Sequence, residues 1–157
     1  MAKEVERKFL VSRSDWRAVA EPGIAIVQFY IASTAERSVR IRIRRDSEAT
    51  LTIKFGGDKR IRDEFEYPIP PEEARDMERF AIGAVIEKTR HLVRHRGDVY
   101  EVDVFGGALA GLVVAELETE KDVPDADLPA WLGREVTGEA AYYNASLARR
   151  GLPELVR

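Results

Sequence analysis

The sequence contains no cysteine among its 157 residues. This absence excludes disulfide bonds, thiolate zinc sites and cysteine nucleophiles, and it suits a reducing compartment. Long apolar runs are also missing: no segment approaches the roughly 20 apolar residues that span a bilayer, and residues 1–10 lack the apolar stretch of a signal peptide. We therefore expect a cytoplasmic protein without a membrane partner.

A basic excess, the usual mark of a nucleic-acid-binding protein, is lacking as well. Lysine and arginine total 25 against 28 acidic residues, and the net charge is −3, so we expect no nucleic-acid partner. The P-loop, the Gly-x-Ser-x-Gly elbow and the Rossmann glycine fingerprint are absent, so side chains would have to hold any phosphate. The length fits a single domain over residues 1–157.

Alternation of polar and apolar residues recurs through most of the chain and predicts β-strands. The predicted strands cover residues 3–11, 25–30, 38–45, 50–55, 61–68, 85–95, 98–105 and 112–120. Short turns between several of them indicate antiparallel pairing. The predicted helices cover residues 12–20, 71–80 and about 138–150, and the last ends at Gly151. The fold class predicted from these elements is α+β.

The charges on these strands are sorted by sign. Acidic residues two apart occur at Glu4 and Glu6, Glu64 and Glu66, Glu101 and Asp103, and Glu116 and Glu118; basic ones occur at Arg40 and Arg42, and at Lys88 and Arg90. Like charges two apart lie about 6.6 Å apart on one face of a strand and repel each other. Exposed ion pairs between strands are one explanation. We favour a closed eight-stranded antiparallel barrel, a tunnel with a polar lumen, flanked by about three helices.

A lumen lined by both carboxylates and cations needs a ligand that satisfies both, and a polyphosphate with a divalent metal ion does so. Carboxylate oxygens suit Mg²⁺ or Mn²⁺, whereas arginine and lysine suit phosphoryl oxygens. The predicted metal ligands are Glu4, Glu6, Asp103, Glu116 and Glu118. The predicted phosphate-binding residues are Lys8, Arg40, Arg42, Lys54, Lys88 and Arg90.

Glu4-x-Glu6-x-Lys8 resembles the ExExK signature of the CYTH superfamily, the triphosphate tunnel metalloenzymes. Further segments stand in family order over nearly the whole chain, among them Val39-Arg40-Ile41-Arg42, Thr52-Ile53-Lys54, Glu87-Lys88-Thr89-Arg90, Glu101-Val102-Asp103-Val104-Phe105 and Glu135-Val136-Thr137. The resemblance implies an eight-stranded tunnel that binds a triphosphate with Mg²⁺ or Mn²⁺. It assigns the same acids and bases to metal and phosphate.

The resemblance also implies that Tyr30 pairs with Lys8 in acid–base chemistry, and it leaves the role of Glu64 and Glu66 open. One position departs from the family pattern. Close bacterial relatives often carry Asp-Lys-Arg-Tyr after Glu-Val-Thr, whereas this chain has Ala140 and Ala141 before Tyr142. A basic contact that would close the tunnel or bind the distal phosphate is therefore missing.

The function we predict is metal-dependent hydrolysis of the terminal phosphate of a short linear triphosphate. Inorganic tripolyphosphate is the first choice, because phosphate contacts are many and no purine-reading loop is recognisable. The alternatives are a class IV-type adenylate cyclase, a thiamine or nucleoside triphosphatase, an RNA-end triphosphatase and a non-catalytic polyphosphate sensor. Outward apolar strand faces make a homodimer the candidate assembly.

Overall fold

The computed structural model describes residues 5–56 and 63–153. Glu4 and the first two residues of each of the predicted strands 3–11 and 61–68 lie outside these ranges. The strands are β1 (Val5–Leu10), β2 (Ile24–Ser33), β3 (Arg37–Arg44), β4 (Glu48–Phe55), β5 (Asp63–Ile69), β6 (Ile82–His95), β7 (Asp98–Phe105) and β8 (Val113–Thr119). The α-helices are α1 (Pro71–Met77) and α2 (Asn144–Arg150). Short 3₁₀ segments cover Asp15–Val19, Glu78–Phe80, Gly107–Leu109, Asp125–Asp127 and Ala140–Tyr142.

All eight strands form one antiparallel sheet with the order β1-β8-β7-β6-β2-β3-β4-β5. The prediction of a closed barrel is wrong, because β1 and β5 are the two edges of this sheet in the described ranges and do not pair with each other. The outer edge of β1 bonds instead to residues 133–137. The Leu10 amide donates to the Arg134 carbonyl at 2.9 Å, and the Val136 amide donates to the Lys8 carbonyl at 2.8 Å.

The other edge, β5, is protected by its own sequence. Among the described strands it pairs with β4 alone. Pro68 has no N–H to offer a further strand, and Glu64 and Glu66 carry charge, both of which are common features of natural edge strands. On the opposite face Phe65 and Tyr67 are 48% and 53% exposed. This is apolar surface of the kind expected for a homodimer, and the dimer itself stays a prediction.

The prediction of three helices is also wrong, since the described ranges contain two α-helices. The segment predicted at 12–20 forms only the five-residue 3₁₀ segment Asp15–Val19, because Pro22 follows closely and so short a helix is marginal without packing on one face. The segment predicted at 138–150 is interrupted at Tyr143, whose backbone is extended (φ −69°, ψ 141°). No helix in the described part of the chain has the length and apolar character to cross a bilayer.

Three apolar clusters hold the sheet together. On the outer face, Trp16 and Trp131 pack against the β6, β7 and β8 strands, and α1 packs through Ala74 against the β2, β3 and β4 strands. The third cluster lies on the inner face, where α2 buries Leu147 and Ala148 against strand residues such as Ile86. The sheet thus has one apolar outer face and an inner face that is only partly apolar, and the charged residues occupy the rest of the inner face.

Candidate functional site

Polar side chains form a diagonal band across the inner face of the sheet, here called the polar band. Directly opposed residues of antiparallel neighbours lie on the same face, so the strand register identifies its members. They are Glu6, Lys8, Gln28, Tyr30, Arg40, Arg42, Thr52, Lys54, Glu64, Glu66, Lys88, Arg90, Glu101, Asp103, Glu116 and Glu118. All six predicted phosphate-binding cations therefore lie on one face.

Most of the cations in the polar band are buried. The buried cations are Lys8, Arg40, Arg42, Lys88 and Arg90, each at most 9% exposed. A flat sheet would leave these long side chains in solvent, so the sheet must curl around them. Burying several like charges is costly unless they have counter-charges or a ligand.

Asp103 supplies that counter-charge on one side of the band. Its carboxylate lies 2.8 Å from Lys88 Nζ and accepts hydrogen bonds from Arg90 Nε at 2.8 Å and Arg90 Nη2 at 2.9 Å. Burial raises the pKa of Asp103, but the Lys88 and Arg90 charges outweigh it and lower the pKa to about 2. Burial also lowers the pKa of Lys88 to about 8, despite the attraction of Asp103. Asp103 thus stays ionised between two cations.

The β3 arginines have no such partner. Arg42 Nε donates to Gln28 Oε1 at 2.9 Å, and burial and the neighbouring Arg40 charge lower the Arg42 pKa. Four buried side-chain atoms among the described residues have no hydrogen-bond partner: Arg40 Nε, Gln28 Nε2, Thr52 Oγ1 and Lys88 Nζ. Of these, Lys88 Nζ is in an ion pair with Asp103. Buried donors without acceptors are costly, and an anion along this stretch would satisfy them. Side-chain chemistry here therefore fits a phosphate chain.

Lys8 and Tyr30 lie toward the α2 end of the band. Lys8 Nζ donates to the Tyr142 carbonyl at 3.1 Å and lies 3.5 Å from Glu116 Oε1. Burial raises the pKa of Tyr30 although the Arg40 charge and its hydrogen bond act against it, so the Tyr30 hydroxyl is neutral. Glu116 acts on both groups, because it is close to Lys8 and its charge raises the Tyr30 pKa further.

The acids on β1 and β8 fit a divalent cation. Glu6 lies directly opposite Glu118 on the same face, and like charges in this position destabilise a sheet unless a cation lies between them. One or two carboxylates, with water and phosphate oxygens, are the usual ligands of Mg²⁺. Among the described residues, no group of three or more acids or histidines is close enough to hold a metal. Glu4, the predicted metal ligand two residues before Glu6, lies outside the described residues.

Two more predicted acids are placed differently. Both oxygens of Asp103 lie against Lys88 and Arg90, as described above, and its predicted metal contact stays a prediction. Glu64 and Glu66 are exposed on β5, opposite Lys54 and Thr52 respectively. They form the open end of the polar band.

Three members of the site were not among the predicted site residues. Gln28 binds Arg42, Glu101 Oε2 accepts a hydrogen bond from Arg90 Nη1 at 3.2 Å and lies opposite Glu116, and Thr52 lies opposite Arg40. Gln28 stands two residues before Tyr30 and Glu101 two before Asp103. The period of two along each strand was therefore a signal that could have found them.

Two cavities open beside the band. One has a volume of about 130 Å³ and is lined by Ile24, Ile26, Arg44, Arg90, Leu92 and Glu101. The other has a volume of about 310 Å³ and is lined by Leu92, Val99, Glu101 and Glu118. Both combine apolar walls with charged groups of the site. They provide space next to the cations and acids of the band.

Known proteins resemble this chain over nearly its whole length. The sequence is 39% identical over 150 residues to an inorganic triphosphatase of Acetivibrio thermocellus, covering 95% of each chain. It is 33% identical to an inorganic triphosphatase of Nitrosomonas europaea, covering 92% of this chain and 96% of that relative. The crystal structure of an inorganic triphosphatase superposes with a TM-score of 0.70 at 30% identity, covering 94% of this chain and 95% of the other. The CYTH domain model matches residues 2–152, and the chain belongs to the CYTH domain family.

Proposed function

We propose that this protein hydrolyses the terminal phosphate of inorganic tripolyphosphate bound along the polar band. The two relatives named inorganic triphosphatase support this proposal through their coverage of nearly the whole chain. The structural observation that carries it is the set of buried donors without acceptors at Arg40, Gln28 and Thr52. A linear chain of phosphoryl oxygens would accept from them and neutralise the adjacent arginines.

Side chains at different positions along the polar band have different roles. Arg40 and Arg42 on β3 bind the phosphate chain. Lys88 and Arg90, held by Asp103, face the same chain from β6, on the other side of β2. Because these groups are buried and fixed before substrate arrives, they stabilise the charge of the transferring phosphoryl group with little rearrangement. The raised pKa of Tyr30 keeps its hydroxyl protonated, so proton removal from the attacking water falls to another group.

We propose that the opposed pair Glu6 and Glu118, together with Glu4, would hold Mg²⁺ or Mn²⁺. When bound, such an ion neutralises phosphoryl charge and lowers the pKa of water. The opposition of Glu6 and Glu118 supports this assignment, because two carboxylates directly opposite each other on one face can reach the same ion. The protein itself supplies the orientation of the carboxylates and the burial that limits water.

A second candidate is an organic triphosphate such as a nucleoside or thiamine triphosphate. The observation that favours it is the cavity of about 130 Å³, whose walls include Ile24, Ile26 and Leu92 beside Arg90. Apolar walls next to a phosphate-binding cation suit a flat organic group on a triphosphate. The same cavity would serve an adenylate cyclase, which releases pyrophosphate instead of phosphate.

A substrate panel separates these functions. Tripolyphosphate, ATP and thiamine triphosphate are each incubated with Mg²⁺ or Mn²⁺, and phosphate, pyrophosphate and cyclic AMP are measured together. We expect phosphate release, fastest from tripolyphosphate. Cyclic AMP with pyrophosphate would establish a cyclase, and no product from any substrate would contradict the proposed hydrolysis.

Variants of the acids test the metal assignment in the same assay. Glu4→Gln and Glu6→Gln should each reduce turnover at least a hundredfold, because each removes a charged oxygen ligand. Glu73→Gln, on the first turn of α1, is the matched control and should leave turnover unchanged. Full turnover in Glu6→Gln would remove Glu6 from the metal set.

A further inference from the structure

Residues 133–143, here called the C-terminal strap, run along the outer edge of β1. The Gly133 amide donates to the Leu10 carbonyl at 2.7 Å, and the Val136 amide donates to the Lys8 carbonyl at 2.8 Å. Glu135 also forms a bridge with Phe9. These backbone hydrogen bonds are enough by themselves to pair the outer edge of β1 with the strap.

Side chains of the strap add a second set of contacts around Lys8. The Glu135 carboxylate accepts hydrogen bonds from Arg7 Nε at 2.9 Å and Arg7 Nη2 at 2.8 Å. Glu135 Oε2 also accepts from Thr137 Oγ1 at 2.6 Å, and Thr137 Oγ1 accepts from the Lys8 amide at 3.0 Å. The Thr137 hydroxyl therefore links the Glu135 carboxylate to the backbone of Lys8. This chain of contacts fixes where the strap lies relative to Lys8.

The far end of the strap meets the Lys8 side chain. Lys8 Nζ donates to the Tyr142 carbonyl at 3.1 Å and lies 5.8 Å from the centre of the Tyr143 ring. Glu116 Oε1 lies 3.5 Å away on the other side. An ammonium group has three N–H donors, and the carbonyl and carboxylate occupy two of them. The third is left for a phosphoryl oxygen.

We propose that Glu135, Thr137 and Tyr143 are positioning residues for the Lys8 ammonium, a role that rests on the proposed function. Glu135 and Thr137 fix the strap on both sides of the Lys8 backbone, and the strap then holds the ammonium between the Tyr142 carbonyl and the Tyr143 ring. Such an arrangement sets the direction of the free donor, and misplacement by about 1 Å can cost a hundredfold in rate. Ala140 and Ala141 bring no charge, so the strap contributes acceptors and an aromatic face to the site instead of further cations.

The first test removes the Thr137 hydroxyl without changing the size of the side chain. Thr137→Val should lower kcat/KM for tripolyphosphate about tenfold, and Thr137→Ser, which keeps the hydroxyl, should stay within twofold of the native protein. Thr34→Val is the matched control, because Thr34 Oγ1 also accepts backbone N–H bonds, from Glu36 at 3.3 Å and Arg37 at 3.2 Å, in the turn between β2 and β3. Thermal unfolding of all three variants is measured alongside.

A purely structural strap predicts a different pattern. In that case Thr137→Val and Thr34→Val would shift Tm by similar amounts and both would keep native kcat/KM, which would overturn the proposal. Tyr143→Phe and Tyr143→Leu give a second pair should Thr137→Val fail to fold. Phenylalanine keeps the ring face and should preserve kcat/KM, whereas leucine should lower it several-fold.

A readout without substrate keeps this test separate from the proposed function. The ¹⁵N resonance of the Lys8 ammonium, assigned by its loss in Lys8→Met, should be visible in the native protein because its protons are held in hydrogen bonds. Thr137→Val should broaden or shift it, and Thr34→Val should not. An unchanged resonance in Thr137→Val overturns the positioning role, even if tripolyphosphate proves not to be the substrate.

Discussion

Buried cations lie in two parts of the polar band, with an acidic partner in one part and without one in the other. On β6 and β7, Lys88 and Arg90 are buried with the Asp103 carboxylate between them. On β3, Arg40 and Arg42 are buried with a neutral glutamine and no acid in contact among the described residues. The first set is neutralised by the protein, whereas the second depends on something that binds. The difference indicates that β6 and β7 hold the site together and that β3 takes up the ligand.

Breaking the β6 and β7 set should have the largest effect. Asp103→Asn leaves the buried Lys88 without a counter-charge and Arg90 with Glu101 alone, and it should lower the free energy of unfolding by about 3–5 kcal/mol. Asp127→Asn is the matched control, because its ion pair with Arg96 is exposed and worth at most about 1 kcal/mol. Denaturant unfolding measures both. Tripolyphosphate should restore part of the loss in Asp103→Asn, since it supplies negative charge to the same cations.

Breaking the β3 set should affect binding instead of stability. Arg42→Met removes a buried charge that has no acidic partner, so stability should be unchanged or higher. The variant should lose about a hundredfold in kcat/KM for tripolyphosphate, mainly through KM, because a phosphate contact is lost. Arg79→Met, an exposed arginine outside the site, is the control. A large loss of stability in Arg42→Met would show that β3 is also a structural element.

The smallest effect expected is on the pH dependence. Lys88 has a pKa of about 8 in the folded protein and 10.5 when unperturbed, so its ammonium is lost above about pH 8. We expect kcat/KM to fall above pH 8, by up to tenfold per unit, as this charge disappears. Lys88→Arg should move this fall to higher pH. The native protein and the variant are compared by the shape of their pH profiles of kcat/KM, not by the maximal values. A profile that is flat from pH 8 to 10 would contradict the assignment.

The lowered pKa of Lys88 also makes the stability of the protein depend on pH. Between pH 8 and 10.5 the unfolded chain binds more protons at Lys88 than the folded protein does, so this group makes stability rise with pH. Asp103 acts at the acid end, where its lowered pKa of about 2 stabilises the fold above pH 4 and this contribution is lost toward pH 2. Activity and stability should therefore change in opposite directions above pH 8.

Much of the site could be predicted because strands have a period of two. Residues two apart must share a face, so Arg40 with Arg42 and Lys88 with Arg90 could be placed side by side without knowing the sheet. The sequence did not reveal which acid meets which base. The sequence predicts Asp103 as a metal ligand, and only the register between β6 and β7 brings it against Arg90. Such pairings depend on strand neighbours that are distant in sequence.

The sequence by itself determined the strands, the sorting of charge onto one face and the chemistry that this charge can perform, because these follow from local alternation and side-chain type. The tertiary structure decided that the sheet stays open, that residues 133–137 take the edge of β1 that a closed barrel would give to β5, and that Lys8 meets the Tyr142 carbonyl. Those outcomes depend on the competition between distant segments for the same backbone edge. The local sequence pattern does not reveal which distant segment pairs with that edge.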